Sequence, residues 1–572
     1  SKTIFGSYGW RSSVSSRIGP KTVYLGSPVV RLPNASDAQK LLIANAPDEL
    51  ERVLHVMETL PFIHLRRQMG NNSEYNPICN LYVSMADSKN YRIAYMWGNT
   101  MRTPGNQPGP EFVMLHIPEE HNIRQQVLVL PEYNINIALG TDYMGEDKKG
   151  FLRQAMWCAD QKGMLGLHAG TKLVKVRDEK TKKLKVYAVY LFGLSATGKS
   201  TWSCHQLGLN YGDGERTEVT QDDIVFLKKD GSSHGSETGF FVKTDVDKKL
   251  QEAMYYALID KSALYENVMI DANRCPDFLD ETLCANGRAV IQKSKLRIKR
   301  GLFLRNIASK SINTPPVSDV DGIIFAFITR RNTIMPFAQE LTAEQAALAY
   351  LWGESSHSYA SQPAKAGESV RTVGTDPFIV GSRAVKVNRF YEIIMGLVNN
   401  YPDKVKFFQY NTGGVGEIIE EEMVGGKKVK KMIRKTIRVP IELMADIQRG
   451  DINGTNVYQS GRLGRNEIVK CGSHDLSQYD PKKFYSDEQI ENYIRDLVEG
   501  RRQFTYEIAE EGLNPDIIKI AEKSFQIVKD KKTKIFIPEP PKEPEKKEEE
   551  KFSPYTWSPD DRPLKGKGWR YG

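Results

Sequence analysis

Between about residue 20 and residue 185, short apolar runs alternate with turn-forming stretches such as Asn99 to Pro110, NTMRTPGNQPGP. Runs of this length, punctuated by Gly and Pro, predict mixed α/β structure rather than a helical bundle. The pattern then changes. Val186 to Phe192, VYAVYLF, is a β-branched and aromatic run that predicts a buried strand, and it leads directly into the glycine-containing turn GLSATGKST and a helix. Further on, Thr342 with Gln345 and Ser486 with Gln489 stand at capping-box spacing ahead of AALAYLW and IENYIRDLVEG, which predicts two helix starts. Glu420 to Lys431, EEEMVGGKKVKK, predicts an exposed hairpin, with Gly425 and Gly426 between blocks of opposite charge. After about Ile537 the chain reads PEPPKEPEKKEEEK, too polar to bury apolar surface, whereas 552 to 572 carry Phe552, Tyr555, Trp557, Trp569 and Tyr571. A linker followed by a docked aromatic tail is expected. No internal repeat is visible.

Length refines this picture. At 572 residues the chain exceeds what a single core usually serves, so two large lobes are expected, 1–185 and 186–536, followed by a linker at 537–551 and the tail at 552–572. With 40% hydrophobic and 26% charged residues and no run of about eighteen apolar positions, the composition is that of a globular protein, and no membrane partner is expected. The polar N-terminus lacks the apolar core of a secretory signal, and Ser1 is a residue type exposed by removal of an initiator Met; a cytoplasmic location is expected. The six cysteines are scattered without a CxxC pair, which reads as reduced, structural thiols. A net charge of +9 suits nucleic acid or any polyanionic substrate. The cations are interleaved with acids and no zinc-finger or RRM signature occurs, so small phosphorylated substrates are the expectation and nucleic acid is not.

Candidate chemistry begins at Gly193-Leu194-Ser195-Ala196-Thr197-Gly198-Lys199-Ser200-Thr201, which fits GxxxxGK[ST]. In such a loop the backbone N–H groups wrap phosphates, Lys199 offsets their charge and Ser200 holds Mg²⁺. No GxGxxG follows a predicted strand, so phosphoryl transfer is favoured over hydride transfer. Downstream, Gln221-Asp222-Asp223 opens the predicted strand IVFL, and paired acids at a strand end are a common way to hold a divalent cation beside phosphate. A solvated turn would look alike. His168 in GLHAG and Lys148-Lys149 in YMGEDKKG are weaker signals on their own.

Their order and setting say more, because segments from Asn99 to Glu442 resemble, distantly but collinearly, the ATP-type phosphoenolpyruvate carboxykinases. TDYMGEDKKG resembles the family's segment with a substrate tyrosine and two lysines, implying Tyr143, Lys148 and Lys149. LGLHAGTKLV resembles its metal-histidine segment, implying His168. GLSATGKST and TQDDIVF resemble its two kinase segments, the second implying Asp222 and Asp223. ALYENVMID implies an active-site glutamate at Glu266, NGRAV a substrate and phosphate arginine at Arg288, MRTPG a carboxylate arginine at Arg102, and RKTIRVP an adenine-pocket arginine at Arg434. The chain departs from the family pattern at Ala196, usually Gly, at Ser200, usually Thr, and at Pro440, where the family's hydroxyl is lost.

The resemblance implies a two-lobed α/β fold with the phosphate loop in the C-terminal lobe and the active site in the cleft between lobes. It implies conversion of oxaloacetate and ATP to phosphoenolpyruvate, CO2 and ADP. It also implies Mn²⁺ on Lys149, His168 and Asp223, and Mg²⁺ with ATP through Ser200. Arg102, Tyr143, Lys148, Lys149, Lys199, Asp222 and Arg288 would act on substrate, while the loop residues with Glu266, Arg288 and Arg434 would hold nucleotide. Homo-oligomerisation through the tail is a further expectation. A P-loop kinase of another substrate, or a catalytically silent assembly homologue, are the rival readings.

Overall fold

A computed structural model describes residues 1–13, 19–119, 125–194, 197–280, 282, 287–357, 363–424 and 427–528. Ser195, Ala196, the hairpin glycines Gly425 and Gly426, the linker and the aromatic tail lie outside the described residues. Ser1–Val528 forms one compact unit.

The structure is mixed α/β. A six-stranded sheet runs in the order Thr22–Tyr24, Gln126–Leu130, Ile135–Leu139, Glu111–Ile117, Ile78–Ser84, Phe62–Gln68. Its interior positions, among them Leu81, Val83, Met114 and Val129, are buried. Five elements then position the phosphate loop: helix α1 (Gly145–Gln161), strand β1 (Leu165–Arg177), strand β2 (Leu184–Gly193), helix α2 (Lys199–Cys204) and, after a further strand at Arg216–Gln221, strand β3 (Ile224–Leu227). β1 and β2 pair antiparallel from Ala169↔Phe192 to Arg177↔Leu184, and β3 flanks β1 with Ile224 opposite His168. β2 continues parallel into Gly322–Thr329, which is parallel in turn to Val405–Asn411, within a ten-stranded sheet. The residue-185 boundary expected from sequence therefore falls in β2, just after the turn of the β1–β2 hairpin.

Strands buried on both faces read as continuous apolar runs, and VYAVYLF and GIIFAFIT are such runs. Their rings stack in register, with Phe192 and Phe327 centroids 4.9 Å apart and Tyr190 and Phe325 5.1 Å apart, and Tyr350 and Phe390 of the helices Ala343–Trp352 and Arg383–Asn400 stack at 4.3 Å. Each such pair contributes about 0.5–1.5 kcal/mol beyond area burial, so the sheet that carries the phosphate loop at the end of β2 has a stiff base.

The helix starts follow the sequence. Thr342 and Ser486 accept from the backbone N–H of Gln345 and Gln489, whose side chains bond back, ahead of Ala343–Trp352 and Asp487–Ala509. Ile418–Val424 pairs with Lys427–Arg434, the hairpin expected at 420–431. A four-stranded sheet, Tyr8–Trp10, Leu264–Glu266, Arg288–Gln292, Gly239–Lys243, packs near the loop. No described helix is long and apolar enough to cross a membrane.

Candidate active site

β2 ends at Gly193, and α2 begins at Lys199 after Gly198, whose φ of +98° is left-handed and favours a residue without Cβ. A Cβ at Gly193 would lie 2.5 Å from Thr197 Oγ1, so the loop closes tightly there too. α2 has only six residues and is held by its neighbours. Gly170 on β1 lets it approach, since a Cβ at 170 would come 2.1 Å from Ser203 Oγ. Two residues further along the same strand face, fully buried Lys172 donates to the Trp202 and His205 carbonyls at 2.6 and 3.3 Å. Burial pushes the Lys172 ammonium down to about 7.

A cavity of about 210 Å³ opens against this loop. Its lining includes Tyr143, Lys148 and Lys149 from the start of α1, His168 from β1, Lys199 to Thr201 from α2, Asp222 and Asp223, and Arg288. Leu194 and Gly198 also line it. The residues expected from phosphate loop, lysine pair, histidine and acid pair thus meet in one place.

Asp223 is the hub. Its Oδ2 accepts from Lys148 Nζ at 2.6 Å and its Oδ1 from Lys199 Nζ at 3.0 Å. Burial alone would raise its carboxyl, but the two ammonium groups outweigh burial and hold it well below the usual carboxylate range. His168 Nδ1 lies 2.6 Å from the Thr375 carbonyl oxygen, a contact in which the ring must donate. In the neutral ring Nε2 then carries the lone pair. That nitrogen stands 3.1 Å from Asp223 Oδ1 and 3.0 Å from Lys199 Nζ.

Two electron-pair donors at 3.1 Å repel unless a cation touches both, and the Lys199 ammonium does so. The pair is therefore a fit for a metal ion with imidazole nitrogen and carboxylate oxygen ligands. Among the described residues no group of three His, Cys, Asp or Glu side chains converges. Asp222 makes a second candidate cation position. Its Oδ2 accepts from Ser200 Oγ at 3.1 Å, and its buried Oδ1 has no hydrogen-bond partner among the described residues. Burial raises its carboxyl, against the lowering charge of Lys199.

Of the adjacent lysines, Lys148 bonds Asp223 and also pairs with the buried Glu237 at 3.1 Å. Lys149 lines the same cavity, its Nζ 5.7 Å from the Tyr143 ring centroid. Arg288 reaches the cavity with its guanidinium 5.9 Å from the Phe241 ring.

Five expected, described residues are not among those lining it: Gly193 and Thr197 of the loop, and Glu266, Arg102 and Arg434. Glu266 is fully buried and accepts from Arg92 Nη1 at 2.8 Å, while Arg92 Nη2 donates to Asp142 at 2.8 Å. Glu266 Oε1 also accepts from the Met144 backbone N–H at 3.4 Å, so this ion network holds the segment that leads into α1. Burial raises its carboxyl to about 7, with Arg92 opposing. Arg102 exchanges backbone hydrogen bonds with Gln68 at 2.9 and 3.1 Å, at the edge of the six-stranded sheet. Arg434 donates to the carbonyls of Gly416 and Phe484 and stacks on Phe484 and Tyr485, which occupies its guanidinium as a clamp on the chain.

Two residues escaped the sequence reading. Thr375 accepts from His168 through its carbonyl and from the Gly193 N–H through Oγ1, at a φ of +55° that a β-branched residue rarely adopts. Glu237 is the second partner of Lys148.

The profile of the phosphoenolpyruvate carboxykinase family matches residues 37–461, most of the chain. The chain is 28% identical over 402 residues to the phosphoenolpyruvate carboxykinase (ATP) of Aeropyrum pernix, covering 70% of this chain and 72% of that protein. It is 26% identical over 242 residues to that of Agrobacterium fabrum, 41% of this chain and 39% of that one. It is 29% identical over 218 residues to the glycosomal form of Trypanosoma cruzi, 38% and 39%. The last two matches span well under half of either chain. With its phosphate loop, His168, Asp222 and Asp223 meeting inside the matched region, the chain belongs to the phosphoenolpyruvate carboxykinase family in its ATP form.

Proposed function

We propose that this chain is a phosphoenolpyruvate carboxykinase, converting oxaloacetate and ATP to phosphoenolpyruvate, CO2 and ADP, with substrate and nucleotide meeting in the cavity around Asp223. The single observation that carries this reading is the convergence of Lys148, Lys199, His168 and Asp223 at the mouth of a phosphate loop. A kinase of an ordinary alcohol needs Lys199, Ser200 and an acid, but has no use for a second buried lysine and a histidine on that acid.

In the reaction, the bond from C3 to the departing carboxylate breaks and its electron pair forms the enolate. The enolate oxygen then attacks the γ-phosphorus, and the β–γ bridging oxygen leaves with ADP. Negative charge develops first on the enolate oxygen and then on the transferring phosphoryl oxygens. Lys199 and Arg288 would offset that charge, and fixed cations in a water-poor site are the largest single source of such stabilisation. Tyr143, at the start of α1, would orient the oxaloacetate, with Arg102 as the expected carboxylate partner. The loop N–H groups from Gly193 to Thr201 would hold the ATP phosphates, with Arg434 near the base.

His168, Asp223 and Lys149 are the proposed holders of Mn²⁺, and Ser200 with Asp222 of Mg²⁺ on the nucleotide; when bound, these ions supply Lewis-acid stabilisation of oxygen charge. Lysine ligates a metal only as the free amine. The two-lobed arrangement, the cytoplasmic location and a tail-mediated oligomer belong to the same reading.

The test is oxaloacetate-dependent formation of ADP and phosphoenolpyruvate in the presence of Mn²⁺, with GTP and pyrophosphate in place of ATP as controls. Carboxykinase activity must also run backwards, consuming bicarbonate with phosphoenolpyruvate and ADP. Nucleotide turnover that is indifferent to oxaloacetate and bicarbonate would point to another kinase.

A further inference from the structure

A second surface feature stands apart from the cavity. Arg297–Arg300 and Phe303–Asn306 form a two-stranded hairpin, turned at Gly301, whose φ is +61°. Its root is anchored, because Leu296, Ile298 and Ile307 are buried against Met254 and Ala257 of the helix Glu252–Leu258. Its tip is not. Leu302 is 93% exposed, Phe303 72% and Leu304 48%, and every residue from Lys299 to Asn306 faces solvent. Three consecutive large apolar side chains on a projecting, anchored finger are not a folding requirement. Contiguous exposed apolar surface marks a place of interaction.

The charge around the tip is one-signed. From Thr282 to Ser318 the sequence holds no Asp or Glu, but carries Arg288, Lys293, Lys295, Arg297, Lys299, Arg300, Arg305 and Lys310. Acids meet this stretch toward its root: Glu252 accepts from the Lys299 backbone N–H and lies 3.8 Å from Arg300, and Asp260 lies 3.8 Å from Lys295. Lys299 and Arg305, within three residues of the tip, have no acidic partner among the described residues.

We infer that the 297–306 hairpin is a docking finger for an anionic lipid surface, the Leu302-Phe303-Leu304 tip entering the interface while Lys299, Arg300 and Arg305 engage the headgroups. An apolar tip with a basic collar is the arrangement a peripheral membrane contact requires, apolar burial and electrostatic attraction acting together. Charge complementarity favours this occupant over a second copy of the chain, because two such fingers brought together would set like charges against each other. The sequence predicts no membrane partner because the chain has no apolar run long enough to span a bilayer, whereas a short finger of three apolar residues leaves no such run.

Vesicle flotation of the full chain tests the finger, with vesicles of phosphatidylcholine alone and of phosphatidylcholine mixed with phosphatidylglycerol. The expected result is flotation with the anionic vesicles only, weakened by salt, and weakened about tenfold in Leu302→Ser/Phe303→Ser. Lys299→Ala/Arg305→Ala should weaken it as well, with the melting temperature of both variants unchanged. Failure to float with either vesicle overturns the inference, and so does flotation that both variants retain, which would place the contact elsewhere on the chain. A dimeric mass by light scattering that falls to monomer in Leu302→Ser/Phe303→Ser also overturns it, by assigning the tip to a second copy.

Discussion

His168 and Thr375 are joined by a 2.6 Å hydrogen bond from the ring Nδ1 to a main-chain carbonyl, so the direction in which Nε2 points is set by backbone 207 residues away. Outer partners of this kind orient a metal-binding imidazole and typically matter by about 10- to 100-fold in affinity.

We therefore expect His168→Leu to weaken Mn²⁺ binding, read by electron paramagnetic resonance, by at least about tenfold. ATP binding in the presence of Mg²⁺ should change little. If Mn²⁺ binds the variant as it binds the parent, the imidazole is not a ligand.

Glu237 offers a test in pH. Burial lifts its carboxyl to about 7 from an ordinary value of 4.5, against the lowering charge of Lys148. The folded state therefore holds a proton that the unfolded state has released between those values, and stability falls as pH rises from about 4.5 through 7. The shift corresponds to about 3 kcal/mol lost above the window. Glu237→Gln cannot titrate, so its stability relative to the parent should rise across that window, as urea unfolding at a series of pH values would report. A difference between parent and variant that stays flat with pH would show that the group titrates normally.

The lysine pair separates by stability and by metal. Lys148→Met leaves Asp223 without one cation and Glu237 with none, and removing one partner of a buried ion pair costs about 3–5 kcal/mol. We expect a lowered melting temperature together with lost activity. Lys149→Met should instead register in Mn²⁺ affinity. Were Lys148→Met to lose Mn²⁺ binding without loss of stability, the two roles would have to be exchanged.

The sequence made some of this site legible and concealed the rest for physical reasons. Val186 to Phe192 announced itself as a strand because both faces are buried, and the glycines that follow were required by close backbone approach at Gly193 and left-handed φ at Gly198. Asp222 and Asp223 were readable as a pair at the head of β3. Which member of Lys148-Lys149 meets Asp223 was not, since neighbours on a helix point about 100° apart and the pattern does not say which faces the sheet. Thr375 carries no signal at all: its part is played by a carbonyl and an unusual φ, neither of which a side-chain pattern records. Glu266 was read from its surroundings as an active-site residue, but its burial against Arg92, 174 residues away, is nothing that a string of letters records.

The remaining expectation concerns the two arginines outside the cavity lining, and it decides whether they belong to the chemistry. Arg102 is tied to Gln68 by its backbone, which leaves its guanidinium available to turn toward a carboxylate when substrate enters. Arg434 has its guanidinium engaged by two carbonyls and two rings. If Arg102 grips a carboxylate, Arg102→Gln should raise KM for oxaloacetate and phosphoenolpyruvate by about tenfold or more, since a charge-assisted pair contributes about 1.5–3 kcal/mol. ATP affinity should hold. For Arg434→Ala the structure leads us to expect a lowered melting temperature, because the Gly416 and Phe484 carbonyls lose their donor, accompanied by weaker ATP binding if the clamp also shapes the base pocket. Measuring both ligands and the melting temperature on both variants keeps the cases apart. An Arg102→Gln variant that weakens ATP and oxaloacetate alike would act through the sheet edge at Gln68, and an Arg434→Ala variant that loses stability with ATP affinity intact would be a clamp alone.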